Sequence, residues 1–410
     1  MELPIRSTRV TLWIGKEPRR RAAYEWEPAV KNVLWVGLDV HAKSIAVAVI
    51  GADGEVRYLG VIPNDPGSVG KLIKKLGKKP EQLRVCYEAG PTGYVLYWQL
   101  TKLGVHCEVV APTLIPVKPG DRVKTDRRDA EKLVRCYRAG DLTAVWVPDA
   151  AHEALRDLVR AREAAKQDQL RARHRLGKFL LRQGRRAPEG TKAWTGKYLK
   201  WVKEQVHFEQ PAQEATLLDY LHEVEHEGER IQRLEKSIEA AIETVPEKMR
   251  AVIQGLQSLR GIAQISAVSI VAELGEISRF AKARQLMGYS GAVSMEDSSG
   301  DEVRRGPISK AGNAHLRRIV VEAAWAYRHR PNIGPGLAAR QQDSSEEVKE
   351  IAWKAQHRLH KRYSKLLAKG KTKQKVVTAV GRELLGFIWA IGVHVEQAVV
   401  AASAPRRRAA

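Results

Sequence analysis

Residues 33–62 read VLWVGLDVHAKSIAVAVIGADGEVRYLGVI. The β-branched apolar runs VLWVGLDV and SIAVAVI lead through Asp53-Gly54 into EVRYLGVI. Three such runs separated by short turns predict an antiparallel meander. Working outward, an amphipathic stretch lies around Val69 to Leu76 and is followed by the strand LRVCYEAG and a helix from Thr92 to Leu103. The strand VHCEVVAP comes next, then a helix from about Thr125 to Ala139 that ends at Gly140. A meander followed by alternating helix and strand makes an α/β sheet over residues 32–149.

Past Pro148 the strand signal disappears and long charged helical patterns replace it. Leu217, Leu221, Val224, Ile231, Ile238, Ile242 and Val245 alternate in fours and threes, broken by Gly228 and Glu235, until Pro246 stops the helix. That spacing is a coiled-coil seam, and it implies a helical hairpin arm over 150–246. The turn of the hairpin carries the aromatics Trp194, Tyr198, Trp201 and Phe208. A third, mostly helical domain follows over 247–400, interrupted by a Gly/Ser-rich segment from Gly288 to Gly312. The Arg-rich stretches 1–31 and 401–410 lack periodicity and are expected to be basic extensions. The fold class is therefore α/β plus all-α.

The chain has 410 residues, with 70 Lys+Arg against 47 Asp+Glu and a net charge of +23. Such an excess favours a polyanionic partner. Three cysteines without a C-x-x-C pair exclude a disulfide scaffold and a zinc finger. The N-terminus lacks the order of a signal peptide, so a reducing cytoplasm is expected. The apolar run from Gly386 carries His394 and Glu396 at its centre, which a bilayer would tolerate poorly, and it is expected to be a buried helix rather than a span.

Four carboxylates stand out. Asp39 lies inside the apolar strand VLWVGLDVHAKS, where an ionised group needs a cation or hydrogen bonds. Glu88 ends LRVCYEAG just before Gly90-Pro91, at the edge where open α/β sheets place ligands. Asp126 and Asp129 open the helix of TDRRDAEKLVRCYRAG and begin its apolar stripe, so they point towards the sheet. Each alone has an ordinary explanation as a strand-end turn or a helix cap. Together they are expected to form an oxygen-only site whose repulsion is relieved by hard cations, two Mg²⁺ ions of the kind used in phosphoryl transfer. From Lys118 to Arg138 there are eight Lys/Arg against four Asp/Glu, which suits a phosphodiester substrate.

VGLDVHAKSIAVAV, YEAGPTGYVLYWQL, VVAPTLIPVKPGDRVKTDRRDA and LTAVWVPD resemble the RuvC-like domain of the DEDD insertion-sequence transposases, the IS-one-ten family, over about 120 residues. The resemblance implies an RNase H-like fold with Asp39, Glu88, Asp126 and Asp129 as the metal-binding tetrad. LQSLRGIAQISAVSIVAELG, read as two helices joined at Gly261, is similar to a helix-hairpin-helix. Next comes RFAKARQLMGYSGAVSMEDSSGDEVRRGPISKAGNAHLRRIVVEAAW, which resembles the family's C-terminal transposase domain. There the resemblance implies a serine nucleophile that joins covalently to DNA. Ser299 of Ser299-Gly300 is favoured and Ser298 is the alternative.

The cations expected to meet nucleic acid are Lys124, Arg127 and Arg128 beside the acids, and Arg304, Arg305, Lys310, Arg317 and Arg318 after the serines. Further basic runs span Arg156 to Arg186, with eleven Lys/Arg against three acids, and Lys354 to Lys375, with nine Lys/Arg and no acid. No base-reading motif is evident. The resemblance implies that an element-encoded noncoding bridge RNA pairs with donor and target DNA. The unpartnered seam and the need for more than one active site predict a homo-oligomer, dimer or tetramer. The rivals are a RuvC-like junction endonuclease, in which water cuts and the serine loop is passive, and a noncatalytic RNA- or DNA-binding protein with structural acids.

Overall fold

A computed structural model describes residues 32–117, 120, 123–299 and 302–403. The basic extension 1–31 and the tail from Ala404 lie outside the described residues, whereas 401–403 close the last helix. The chain forms two compact units that divide between Val147 and Pro148.

The first unit is built on β1 (Leu34–Val40), β2 (Ser44–Ile50) and β3 (Val56–Pro63), then α1 (Pro66–Lys75), β4 (Leu83–Glu88), α2 (Val95–Lys102), β5 (His106–Val110) and α3 (Asp126–Ala139). The sheet order is β3-β2-β1-β4-β5. The meander strands pair antiparallel, while β1–β4 and β4–β5 pair parallel. This is the mixed five-stranded sheet of an RNase H-like domain.

Side-chain alternation divides the sheet into two faces. Leu34, Val36, Leu38, Val85, Tyr87 and Val109 pack on one side with α1 and α2 residues. On the other side α3 lies across the strands, with Ala130 and Val134 against Ala46 and Ala48, and Leu133 and Tyr137 against Cys86. The helix begins where the Thr125 hydroxyl accepts from the Arg128 amide, and it ends at Gly140 with φ 73°. Its approach is close enough to require glycine at position 37, because a Cβ there would stand 2.6 Å from the Ala130 carbonyl oxygen and 2.7 Å from the Val134 nitrogen.

The second unit is mostly helical: α4 (Ala150–Arg182), α5 (Gly196–Gln205), α6 (Pro211–Thr244), α7 (Glu247–Leu256), α8 (Gln264–Leu274) and α9 (Ala283–Tyr289), then the hairpin β6 (Ser294–Glu296) and β7 (Arg305–Ile308). It closes with α10 (Ala314–Ala324), α11 (Pro335–Gln341), α12 (Glu346–Ala368) and α13 (Lys373–Ser403). The seam on α6 is buried against α4 of the same chain. Leu217, Leu221 and Val224 meet Ala172, Leu176 and Leu180 at one end, and Ile238 and Ile242 meet Leu155 and Val159 at the other. The breaks in the seam are also filled from α4: Glu235 accepts from Arg162 at 2.8 Å, and Gly228 faces Gln169. The expectation that the seam awaits another chain is thereby corrected, since an intrachain helix covers it. The arm's turn holds α5, and its aromatics pack with Phe179 and Tyr220 as a small core.

Helix α13 is long and apolar enough to cross a membrane. Val376, Val377, Val380, Leu384, Leu385, Ile388 and Ile391 are nevertheless fully buried in the main core of this unit. The Glu396 carboxylate accepts from the Ile277 and Ser278 amides at 2.7 and 2.8 Å.

Candidate metal and phosphodiester site

Asp39 is carried on the α3 side of the sheet by its register. Trp35 and Gly37, four and two residues earlier, face the same helix. The parallel register of β1 and β4 runs to Leu38 against Tyr87, so Asp39 and Glu88 occupy the next step on adjacent strands. Cys86, two before Glu88, also packs under α3. Both strand-end acids therefore project from one face at the carboxyl edge of the sheet.

The first turn of α3 brings two more carboxylates to this edge. Ligand atoms of Asp39, His41 and Asp126 all lie within 4.8 Å of one another. His41 Nε2 stands 3.3 Å from Asp39 and 3.5 Å from Asp126. Asp129 joins them electrostatically. Burial raises the Asp39 carboxyl above its ordinary range and the charges of Asp129 and Asp126 raise it further, against the pull of His41. Glu88 is exposed, and its carboxylate is not part of the group within 4.8 Å. The structure thus brings together Asp39, His41 and Asp126, while Asp129, outside that group, acts on the charge of Asp39 from the same helical turn and Glu88 lies on the neighbouring strand.

His41 is the residue that sequence reasoning passed over. It stands two beyond Asp39 in the short β1–β2 turn, where its amide donates to the Ser44 carbonyl at 2.8 Å and its carbonyl accepts from Asn64 Nδ2 at 2.8 Å. The available signal was an Asp-x-His spacing at a strand end. The carboxylate oxygens suit a hard divalent cation, whereas the imidazole beside them is a donor type more usual for zinc and other transition metals. An Asp39 carboxyl crowded by like charges is what a cation would relieve.

Most cations near the site already have partners. Lys124 Nζ is 3.9 Å from Asp129, Arg127 pairs with Glu131 at 2.9 Å and covers the Tyr58 ring, and Arg128 donates to the Val123 carbonyl.

In the second unit the described part of the Gly/Ser-rich segment forms the β6–β7 hairpin, with Ser299 and Glu302 bridged. The Ser298 hydroxyl donates to Glu296 at 3.1 Å and accepts from the Arg304 amide at 3.2 Å, which ties the hairpin together. Ser299 is exposed. Arg304 pairs with Glu302 and Arg305 with Glu296. Arg317 donates to the Ser290 and Lys310 carbonyls, and Arg318 pairs with Glu163 at 2.8 Å. Lys310 is exposed, with its backbone in the left-handed region at φ 55°.

Residues 36–183 match the DEDD transposase model of the IS110 type, described as "Transposase", and residues 253–343 match the model described as "Transposase IS116/IS110/IS902 family". The first match continues beyond the sheet and through α4. The chain is 47% identical over 366 residues to "Putative transposase y4qE" of Sinorhizobium fredii, covering 88% of this chain and 89% of that protein. It is 32% identical over 345 residues to the "Transposase for insertion sequence element IS1533" of Leptospira borgpetersenii, covering 83% and 99%. A "Probable family 20 transposase" of Pseudomonas aeruginosa is 31% identical over 249 residues, covering 57% and 68%. With both halves matched and relatives aligned along most of their length, the chain belongs to the IS116/IS110/IS902 family of transposases.

Proposed function

We propose that this transposase cuts and rejoins DNA by serine transesterification supported by a divalent metal at the carboxylate site. The observation that carries this reading is the meeting of Asp39 and His41 with Asp126, distant in sequence, at the carboxyl edge of the sheet, with Asp129 in the same turn of α3 and Glu88 on the next strand. Asp39, Glu88, Asp126 and Asp129 would hold Mg²⁺, as two ions, with His41 beside them. When bound, such ions supply neutralisation of charge on the phosphate oxygens.

The remaining steps belong to the chain's own groups. Ser299 is favoured as the nucleophile because the Ser298 hydroxyl is already engaged within the hairpin. Its Oγ forms a bond to phosphorus while the bond from phosphorus to the departing sugar oxygen breaks. The serine proton passes to solvent and the departing sugar oxygen takes one proton from solvent, so the exchange is proton-neutral. Because the phosphodiester energy is kept in the protein link, a DNA hydroxyl can later reverse the exchange on another strand without ATP. Exposed Lys310 suits the charge building on phosphate, whereas Arg317 and Arg318 each commit part of their guanidinium within the protein.

Sequence choice is assigned to an element-encoded bridge RNA that pairs with donor and target DNA. The described residues show basic helices suited to backbone contacts. Exchange of strands calls for more than one active site and hence a dimer or tetramer, although the α6 seam no longer argues for it.

Denaturing recovery of DNA from cells carrying the whole element tests this reading. Wild-type protein should remain attached to cleaved DNA, and Ser299→Ala should abolish the attachment. Cleavage that continues in that variant with free 5′-phosphate ends would instead establish a nuclease with a passive serine loop.

A further inference from the structure

We infer that Glu273 and Glu163, acting with Arg160 and Asn313, are positioning residues for strand cleavage: they clamp the platform of the serine hairpin to α4. The inference rests on the reading of a hairpin serine as the nucleophile.

The platform is the pair of backbone segments from which the hairpin rises. The Lys310 amide donates to the Gly291 carbonyl at 3.1 Å, Asn313 to Tyr289 at 2.9 Å and Ser309 to Val293 at 2.8 Å. The two segments touch so closely that both crossing points are glycine. A Cβ on Gly312 would stand 2.2 Å from the Tyr289 oxygen, and one on Gly291 would stand 2.7 Å from the Ala311 oxygen. Lys310 between them is a non-glycine residue in the left-handed region, a conformation that persists only where its surroundings enforce it. The serines therefore stand on a base with little freedom of its own.

Asn313 fastens that base to the rest of the unit. Its Oδ1 caps α10 by accepting from the Leu316 amide at 2.9 Å, and its Nδ2 donates to Glu273 at 2.7 Å. Glu273 on α8 is buried and is gripped by Arg160 of α4 through both oxygens at 2.8 and 3.0 Å. Burial alone would raise its carboxyl, but Arg160, Asn313 and Arg156 outweigh it and hold the group below its ordinary range. The Glu273 carbonyl also accepts from the Tyr289 hydroxyl at 3.2 Å, which ties in the other platform segment.

One turn along α4, Glu163 accepts from His315 Nδ1 at 2.7 Å and pairs with Arg318 at 2.8 Å, both on α10. Arg156, Arg160 and Glu163 thus form one stripe of α4 given over to α8 and α10. Apolar packing would stabilise such an interface at least as well as a partly buried ion network. What the network adds is directional restraint, and a nucleophile displaced by about 1 Å can lose roughly 10²-fold in rate.

The test uses the full chain expressed in cells with a plasmid carrying the complete insertion element, so that its own RNA is present. Asn313→Ser keeps a capping oxygen and deletes the amide donor, whereas Asn313→Asp keeps the cap but sets a carboxylate against Glu273. Pairing Asn313→Asp with Glu273→Gln restores a donor and an acceptor in reverse order. Covalent protein–DNA adduct is measured per DNA-bound protein, alongside the melting temperature and DNA occupancy. The expected result is an adduct yield about 10- to 100-fold lower in Asn313→Asp and reduced in Asn313→Ser at unchanged occupancy, with recovery in the double variant. Wild-type adduct yield in both single variants, a loss that merely tracks melting temperature, or failure of a folded double variant to recover would overturn the inference. If the double variant does not fold, the Asn313→Ser result decides. Absence of adduct from the wild type would instead remove the serine reading and this inference with it.

Discussion

Replacing Gly37 by alanine probes the close approach that brings the acids together. The added methyl would meet the Ala130 oxygen at 2.6 Å, the Val134 nitrogen at 2.7 Å and the Val134 Cβ at 2.9 Å, none of them the end of a flexible side chain. Restoring a separation of 3.4 Å requires α3 to retreat by about 0.8 Å at Ala130. Overpacking of this kind costs about 1–3 kcal/mol. Asp126 and Asp129 ride on the same helix, within one turn of Ala130, so the retreat carries them away from Asp39. A shift near 1 Å at reacting groups costs on the order of 10²-fold in rate. Denaturant midpoints and element mobility in cells measure the two effects. Gly70→Ala serves as the control, because Gly70 lies in α1 with nothing within 4 Å of its added methyl and should gain about 0.5–1 kcal/mol. A Gly37→Ala protein with the wild-type midpoint and wild-type mobility would refute the close-approach reasoning.

Other perturbations follow from the second unit. The Glu273 carboxyl is lowered in the folded state, so its stabilisation is complete above the unfolded carboxylate range and is lost as pH falls through the folded value. Thermal melts should weaken progressively from roughly pH 5 downward, and Glu273→Gln should flatten that dependence while lowering stability at pH 7 by about 1–3 kcal/mol, since the Arg160 side chain left behind is 45% exposed. Ile238→Ala empties a fully buried position between α6 and α4 and should cost about 2–5 kcal/mol in denaturant unfolding. Lys361, Lys365 and Lys369 are exposed at four-residue spacing along α12 and its C-terminal cap. Their replacement by glutamine should weaken DNA binding and reduce its log–log salt slope by about 0.9 for each phosphate that is no longer neutralised.

Local chemistry made much of the first unit legible. The meander followed from β-branched runs around Asp53-Gly54, and α3 from Thr125 and Gly140, residues that cap a helix wherever it sits. Asp126 and Asp129 were legible because the apolar stripe of α3 fixes which way its first turn faces. His41 was not, since an imidazole in a turn gains meaning only when β1 and α3 are joined by packing distant in sequence. The partner of the α6 seam was hidden for the same reason, because periodicity shows an apolar stripe but not which helix covers it. The β6–β7 hairpin was hidden by composition, as its strands are short and built from Ser, Met, Glu, Arg, Gly and Pro. Charge counts likewise could not show that Arg318 is committed to Glu163 or Arg127 to Glu131.

If the acids at the carboxyl edge of the sheet hold a divalent cation, Mn²⁺ titrated into the 410-residue chain binds there and is detected by electron paramagnetic resonance. Bound Mn²⁺ displaceable by Mg²⁺ should be present in the wild type and should fall away in Asp39→Asn and in Asp126→Asn while the fold is retained. The same Mn²⁺ occupancy in those folded variants as in the wild type would contradict the account.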